Sequence, residues 1–357
     1  MNHLLYLCCT FALRSKLRPL GNKKKNIRFL FAFRLLIRTF AGIFENMVLE
    51  ILLIIVGIAV VLWGADRFTD GACGLARKLK VSELVIGLTV VALGTSLPEF
   101  MVSFMSVLRG SSDMSVGNII GSNVFNILVI IGASAIMRTM KVEKSLLQRD
   151  IPICLAVSVL LFAFAYSGGM IARWEGLALV AFFCAYLYMA YRVAMKDRRN
   201  AQEVSHEEQS PLPKLFLLIL VGMAALVVGG RVLVDNAAAV AREWGVSESV
   251  IGMTILAAGT SMPELATSVV AARKGSLGLA FGNVIGSNVF NIAFVIGTCS
   301  SIVPMAVTEI TRLDWLVLIG SCLLVWIVSF TRRELFRWEG ILLVLCYLSY
   351  IVTLVIG

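Results

Sequence analysis

Two short stretches of the 357-residue chain carry polar side chains inside long apolar runs. The first reads Gly94-Thr95-Ser96-Leu97-Pro98-Glu99 and the second Gly259-Thr260-Ser261-Met262-Pro263-Glu264. In each, the threonine and the glutamate are four residues apart and so share one face of a helix. The proline has no N–H, which leaves the carbonyl of Gly94, and likewise Gly259, without its helical donor. Its ring also favours a break in the preceding turn, and this break is expected to free the carbonyls of Ala92 and Ala257. A carboxylate in hydrocarbon costs at least about 2.5–3.5 kcal/mol on insertion scales, so Glu99 and Glu264 are candidates for function. The plainer reading is a protonated glutamate hydrogen-bonded in a helix interface. The recurrence of the whole oxygen-rich setting weighs against it.

A second pair of segments follows. Gly117-Asn118-x-x-Gly121-Ser122-Asn123-x-x-Asn126 recurs as Gly282-Asn283-x-x-Gly286-Ser287-Asn288-x-x-Asn291. Ser122 and Asn126 are again four apart, as are Ser287 and Asn291. The glycines form a small-xxx-small surface suited to close helix approach. The asparagines need more than packing, because a buried amide requires polar partners. Together the segments offer two carboxylates, several hydroxyls, two amides and freed carbonyls, all hard oxygen donors. No histidine or cysteine recurs with them, which argues against zinc, copper or iron. A flexible oxygen cage with two negative charges suits Ca²⁺ or several Na⁺ ions. It suits Mg²⁺ less well, because that ion dehydrates reluctantly. Paired acids could instead suggest hydrolysis, but no nucleophile elbow, phosphate loop or histidine base accompanies them, and no enzyme activity is expected. His3 and His206 lie in the tail and the central polar stretch, where solvation is the expected state.

The elements that position these residues follow from composition. The chain is 59% hydrophobic and 15% charged, with a mean hydropathy of +0.89. Soluble domains average roughly 25% charged residues. A cytosolic enzyme, a disordered chain and a disulfide scaffold are excluded, and an all-α membrane protein is expected. Ten spans near the roughly 20 residues a bilayer requires can be placed at about 48–66, 83–107, 114–137, 150–167, 172–191, 214–235, 248–271, 278–303, 313–330 and 338–356. The second and seventh carry the prolines and are expected to be discontinuous. Residues 81–132 align without a gap on 246–297, with 28 identities in 52 positions. An internal duplication of this size is the main organising feature. Weaker matches lie outside it, such as Trp174-Glu175-Gly176 with Trp338-Glu339-Gly340; the tryptophans read as interfacial anchors. Five spans per half is an odd number, so the second repeat must enter the membrane inverted. With the first span starting outside, the inner loops hold 17 Lys/Arg and the outer loops 4. That asymmetry places the central stretch in the cytoplasm.

The expected organisation is a basic extension over 1–46, five-helix repeats over 47–191 and 214–357, and a cytoplasmic linker over 192–213. Nine of the chain's 32 basic residues lie in 1–46, with one acid, Glu45. That charge would sit on the wrong side for the inside-positive rule. The segment is read as an over-extended start before Met47 or a disordered stretch; an interfacial or targeting helix is the alternative. The basic balance belongs to this segment and the loops, so no nucleic-acid partner is expected.

The paired GTSxPE segments, each followed by GNxxGSNxFN, resemble the alpha repeats of the calcium/cation antiporter superfamily, and most of all its prokaryotic sodium/calcium exchanger branch of inner-membrane proteins. The resemblance covers about 47–357. It implies ten transmembrane helices in two inverted repeats, with discontinuous helices at the ion site, working by alternating access. It also implies that Thr95, Ser96, Glu99, Thr260, Ser261 and Glu264 are ion ligands. Ser122, Asn126, Ser287 and Asn291 would join them, with backbone oxygens of Ala92 and Ala257. The transported ions would be Ca²⁺ and Na⁺ in the cell inner (plasma) membrane, with the lipid bilayer as partner and neither a cofactor nor an obligate protein partner. Proton-coupled relatives carry an asparagine in place of the Thr-Ser pair, which favours sodium coupling here. Asn291 stands where potassium-dependent relatives have an aspartate, which argues against potassium dependence. The competing expectations are a Ca²⁺/H⁺ exchanger and, from another class, a cation channel or membrane sensor.

Overall fold

The computed structural model describes residues 22–200, 210–246 and 257–356. Within the hydrocarbon layer a backbone must satisfy its own hydrogen bonds, and apolar runs of this length do so as helices. In chain order these are α1 (Asn22–Leu79), α2 (Glu83–Thr95), α3 (Leu97–Leu108), α4 (Ser112–Met137), α5 (Leu146–Gly168) and α6 (Arg173–Asn200). The second half contributes α7 (Leu212–Glu243), α8 (Ala257–Thr260), α9 (Met262–Lys274), α10 (Leu277–Ile302), α11 (Arg312–Arg332) and α12 (Arg337–Ile356). Among the described residues eight helices are long and apolar enough to cross a membrane, or nine when α2 and α3 count as one span bent by 46°. The remaining expected span, 248–271, enters the described residues only at Ala257.

Several helices outrun the spans read from hydropathy. The membrane-competent part of α1 is Met47–Leu79, 33 residues. At 1.5 Å per residue it is about 50 Å long, against a hydrocarbon core of about 30 Å. The span read as 48–66 stops at Asp66 and Arg67, but the helix continues because these charges have partners in place. Asp66 and Asp70, one turn apart, both bind Lys274 at the end of α9 (2.7 and 2.6 Å). In the second half α7 likewise runs to Glu243. Helix α6 reaches Asn200, so the 192–213 stretch is helical at its start, and residues 201–209 lie outside the described residues. Residues 22–46 extend α1 backwards as helix, while residues 1–21, including His3, lie outside the described residues, as does His206.

Helices α1 and α7 are repeat-equivalent and pack antiparallel through a ladder of glycines seven residues apart. A Cβ on Gly57 would lie 3.0 Å from the Gly229 carbonyl oxygen. One on Gly64 would lie 2.9 Å from that of Gly222, and one on Gly71 3.0 Å from that of Leu215. A seven-residue spacing keeps one helix face turned to its partner, and the missing side chains bring the backbones together. The antiparallel run of two equivalent helices is what an inverted repeat requires.

Two small antiparallel strand pairs join the halves at opposite ends of α5. Strand β1 (Met140–Lys141) pairs with β4 (Glu334–Leu335), and β2 (Met170–Ile171) with β3 (Met305–Ala306). The Trp-Glu-Gly segments explain themselves here. Trp174 and Trp338 are exposed at the starts of α6 and α12. Glu175 and Glu339 each accept a backbone N–H three residues back (Ala172 and Phe336, both 2.7 Å), capping their helices. Gly176 and Gly340 sit where these helices cross α10 and α4. The core itself is α4 and α10. In their membrane windows 78% and 94% of residues are buried, against at most 39% in the other long helices. The two helices carrying the GNxxGSNxFN segments are therefore the centre of the bundle, and the remainder shield them from lipid.

Candidate ion-binding site

The break between α2 and α3 falls on Ser96 (φ −85°, ψ 8°), and the break between α8 and α9 on Ser261 (φ −88°, ψ 10°). Pro98 and Pro263 take the first turn of the following helix, where a missing N–H costs nothing. Glu99 and Glu264 occupy that same first turn, where the helix dipole favours a carboxylate. One expectation is corrected. The carbonyl of Ala92 is not left without a donor, because it accepts the Ser96 N–H at 3.1 Å. This is an ordinary α-helical bond, so the turn before the break stays closed, with the Thr95 hydroxyl 3.4 Å from the same oxygen. Ala257 opens α8 at the edge of the described residues.

The two breaks face each other. The Ser96 hydroxyl donates to Glu264 Oε1 (2.8 Å), and the Ser261 hydroxyl donates to Glu99 Oε1 (2.9 Å). Each serine thus holds the carboxylate of the opposite half. Thr260 also lies against Glu99, and Thr95 against Glu264. Thr95 has one proton, and it goes to Asn283 Oδ1 at 3.0 Å. Thr95, Ser96, Glu99, Ser261 and Glu264 are all at most 1% exposed, while Thr260 is half-buried.

Ser122, Asn126, Ser287 and Asn291 come from α4 and α10 and are likewise buried. Both helices widen to π-helical turns at this depth, over Asn126–Ile130 and Phe290–Ile296. Such single turns recur at functional sites, because the extra residue per turn re-aims the side chains that follow. Asn126 Nδ2 donates to Asn288 Oδ1 and Asn291 Nδ2 to Asn123 Oδ1, both at 3.0 Å. Asn288 Nδ2 in turn donates to the Asn123 carbonyl (3.1 Å), and Asn123 Nδ2 to the Asn288 carbonyl (3.2 Å).

Six buried oxygens of this group have no hydrogen-bond partner: Glu99 Oε2, Glu264 Oε2, Ser122 Oγ, Ser287 Oγ, Asn126 Oδ1 and Asn291 Oδ1. Buried acceptors are normally satisfied, and six lie within the 6–8 oxygens a Ca²⁺ ion takes. Unpartnered hydroxyls occur elsewhere in the bundle. Ser115 and Ser134, for example, have Ala280 and Cys299 as repeat counterparts and do not recur. Among the described residues, only the six form repeat-related pairs, three in number.

Four polar residues that pair between neighbouring helices were not singled out by the sequence reading: Asn118, Asn283, Ser103 and Ser268, of which Asn283 also touches Thr95 and the Glu264 carbonyl. Asn118 Nδ2 donates to Ser103 Oγ (3.1 Å), and Asn283 Nδ2 to Ser268 Oγ (2.9 Å). All four are identities of the repeat, so the signal was present, but it did not distinguish a lining residue from a supporting one. The close approach expected at the GxxxG glycines is present in α10, where a Cβ on Gly282 would lie 2.6 Å from the Leu84 carbonyl oxygen. Among the described residues a Cβ on Gly117 would meet only Ile310, at 3.7 Å, and one on Gly121 nothing within 4 Å, so the close approach expected there is not seen among them.

Comparison with known proteins converges on one family. The family described as sodium/calcium exchanger protein matches residues 49–192 and 214–356, both repeats and not the stretch between them. The inner membrane protein YrbG of Escherichia coli is 38% identical over 267 residues, spanning 72% of this chain and 81% of that protein. The putative antiporter CaxA of Alkalimonas amylolytica is 35% identical, spanning 85% of this chain and 98% of its own length. The sodium/calcium exchanger MaX1 of Methanosarcina acetivorans is 32% identical over 85% of this chain and 97% of its own. Among solved structures, the sodium-calcium exchanger NCX_Mj superposes with a TM-score of 0.73 at 29% identity, covering 87% of this chain and 99% of that one. With a match of this extent, the chain belongs to the sodium/calcium exchanger family of multi-pass membrane antiporters.

Proposed function

We propose that this protein exchanges Ca²⁺ for Na⁺ across the cell inner membrane, one ion set at a time, through the site between the two breaks. The observation that carries the reading is the reciprocal Ser96–Glu264 and Ser261–Glu99 linkage, together with six buried unpartnered oxygens that fall into repeat-related pairs on these breaks and on α4 and α10. Glu99 and Glu264 are the charged ligands. Thr95, Ser96, Thr260, Ser261, Ser122, Ser287, Asn126 and Asn291 supply neutral oxygens, with the remaining lone pair of Ala92 and the carbonyl of Ala257. Discontinuous helices in inverted repeats favour a transporter over a channel or sensor.

Sodium as the coupling ion rests on the Thr-Ser pair at both breaks, where the proton-coupled relatives of the resembled exchanger branch have an asparagine. The rival is a Ca²⁺/H⁺ exchanger in which Glu99 and Glu264 carry the protons. The loop charges orient the linker and the α6 end to the cytoplasm, with repeats over 47–191 and 214–357 as the two moving halves. ⁴⁵Ca²⁺ uptake into vesicles under imposed Na⁺, H⁺ or K⁺ gradients separates the readings. The proposal expects uptake driven by outward Na⁺ alone, and uptake driven only by a pH gradient supports the rival.

A further inference from the structure

The asparagines form a chain whose directions are fixed by one unambiguous acceptor at each end. A backbone carbonyl can only accept, so the carbonyl of Asn123 compels Asn288 to present its Nδ2 there (3.1 Å). The Oδ1 of Asn288 must then face the other way, where it meets Asn126. An oxygen cannot donate, so Asn126 must present its Nδ2 to it (3.0 Å), and this turns Asn126 Oδ1 outward, buried and without a partner. The mirror chain runs from the Asn288 carbonyl through Asn123 to Asn291, ending on the unpartnered Asn291 Oδ1. All four side chains are fully buried, so each amide depends on its neighbours in the bundle for its orientation. An amide left free to rotate would have to give up that freedom to turn its oxygen to a cation, whereas these are already turned.

We infer that Asn123 and Asn288 are positioning residues for ion binding, each fixing, across the repeat boundary, the amide oxygen that the opposite half offers to the ion. The inference rests on the ion-site reading above and adds residues that do not themselves touch the ion. It also assigns a specific crossed pattern: Asn288 acts on Asn126, and Asn123 on Asn291. The two ligand helices α4 and α10 are consequently oriented as one unit, because neither half can set its own asparagine.

The test is a set of double-mutant cycles on Ca²⁺ binding to the purified full-length protein, measured by ⁴⁵Ca²⁺ equilibrium binding. Asn126→Ala and Asn288→Ala are each expected to weaken binding about tenfold, and the double variant no further than the worse single one, since both remove the same oriented oxygen. Asn288→Ala combined with Asn291→Ala should multiply to about a hundredfold, because the oxygens differ. A merely structural role would not produce coupling that follows the crossed pairs. Asn288→Leu, which keeps the volume, and the mirror cycle on Asn123 and Asn291 repeat the test should Asn288→Ala not fold. In exchange assays Asn288→Ala should raise the half-saturating Ca²⁺ concentration with little change in maximal rate. Normal Ca²⁺ affinity in Asn126→Ala would overturn the ion-site reading itself. A weakened Asn126→Ala beside an unaffected Asn288→Ala, or losses that multiply for Asn126 and Asn288, would overturn the inference alone.

Discussion

Each glutamate of the site divides its labour between its two oxygens. Glu99 Oε1 is anchored by Ser261 from the other half, while Oε2 has no partner. The anchor and the charge should therefore separate by mutation. Glu99→Gln or Glu264→Gln removes a charge that Ca²⁺ requires, and Ca²⁺ transport should fall to background with the protein still inserted. Ser261→Ala or Thr95→Ala removes one neutral hydroxyl. A lost hydrogen bond of this kind is worth about 1 kcal/mol, so Ca²⁺ binding should weaken roughly fivefold, read by ⁴⁵Ca²⁺ binding. The residues of the site were legible in the sequence because the motif occurs twice, and a lipid-facing helix has no reason to repeat a buried acid beside a proline. The division into ligands and supports was not legible. Asn123 and Asn126 lie in one motif and are chemically identical, and only the direction of their hydrogen bonds separates them.

At the scale of elements, α1 and α7 pack backbone against backbone. A Cβ at Gly222 would lie 2.8 Å from the Gly64 carbonyl oxygen, with the Phe68 backbone also in the way, whereas one at Gly230 would, among the described residues, meet only Met262 at 3.8 Å. Gly222→Ala is expected to lower thermal stability by about 1–3 kcal/mol, the usual cost of overpacking. Gly230→Ala should leave stability unchanged or raise it, since alanine is the better helix former. A thermal-shift comparison of the two in detergent decides it. The seven-residue spacing of Gly57, Gly64 and Gly71 stood in the sequence, but which helix they faced did not. The helix ends run past the expected spans for a physical reason. The first expected span, 48–66, ends on Asp66, yet a lysine distant in sequence, Lys274, pairs with both Asp66 and Asp70 where the helix runs on. The π-helical turns left no compositional trace, because one extra residue per turn leaves the apolar pattern intact.

For the whole molecule, the two halves are bound at three levels: the strand pairs at the ends of the bundle, the α1–α7 ladder on its flank, and the reciprocal serine–glutamate and asparagine links at its centre. Each of these links joins residues within 47–357. A chain starting at Met47 should therefore insert and transport at the full rate, measured as Na⁺-driven Ca²⁺ uptake per mole of inserted protein. Loss of transport with insertion intact would assign a function to the basic extension.

Charge balance gives the central test. One Ca²⁺ neutralises two ionised glutamates, while three Na⁺, the number implied by the family resemblance, leave one net positive charge, so a full cycle moves one charge across the membrane. A potential of 100 mV biases that step by about 2.3 kcal/mol, roughly 40-fold in equilibrium. The most direct measurement is Ca²⁺ flux in proteoliposomes at several clamped potentials, with the Na⁺ and pH gradients set independently. The account predicts flux that requires the Na⁺ gradient and shifts with potential as one charge per cycle. Flux indifferent to both, and driven by the pH gradient, would contradict it.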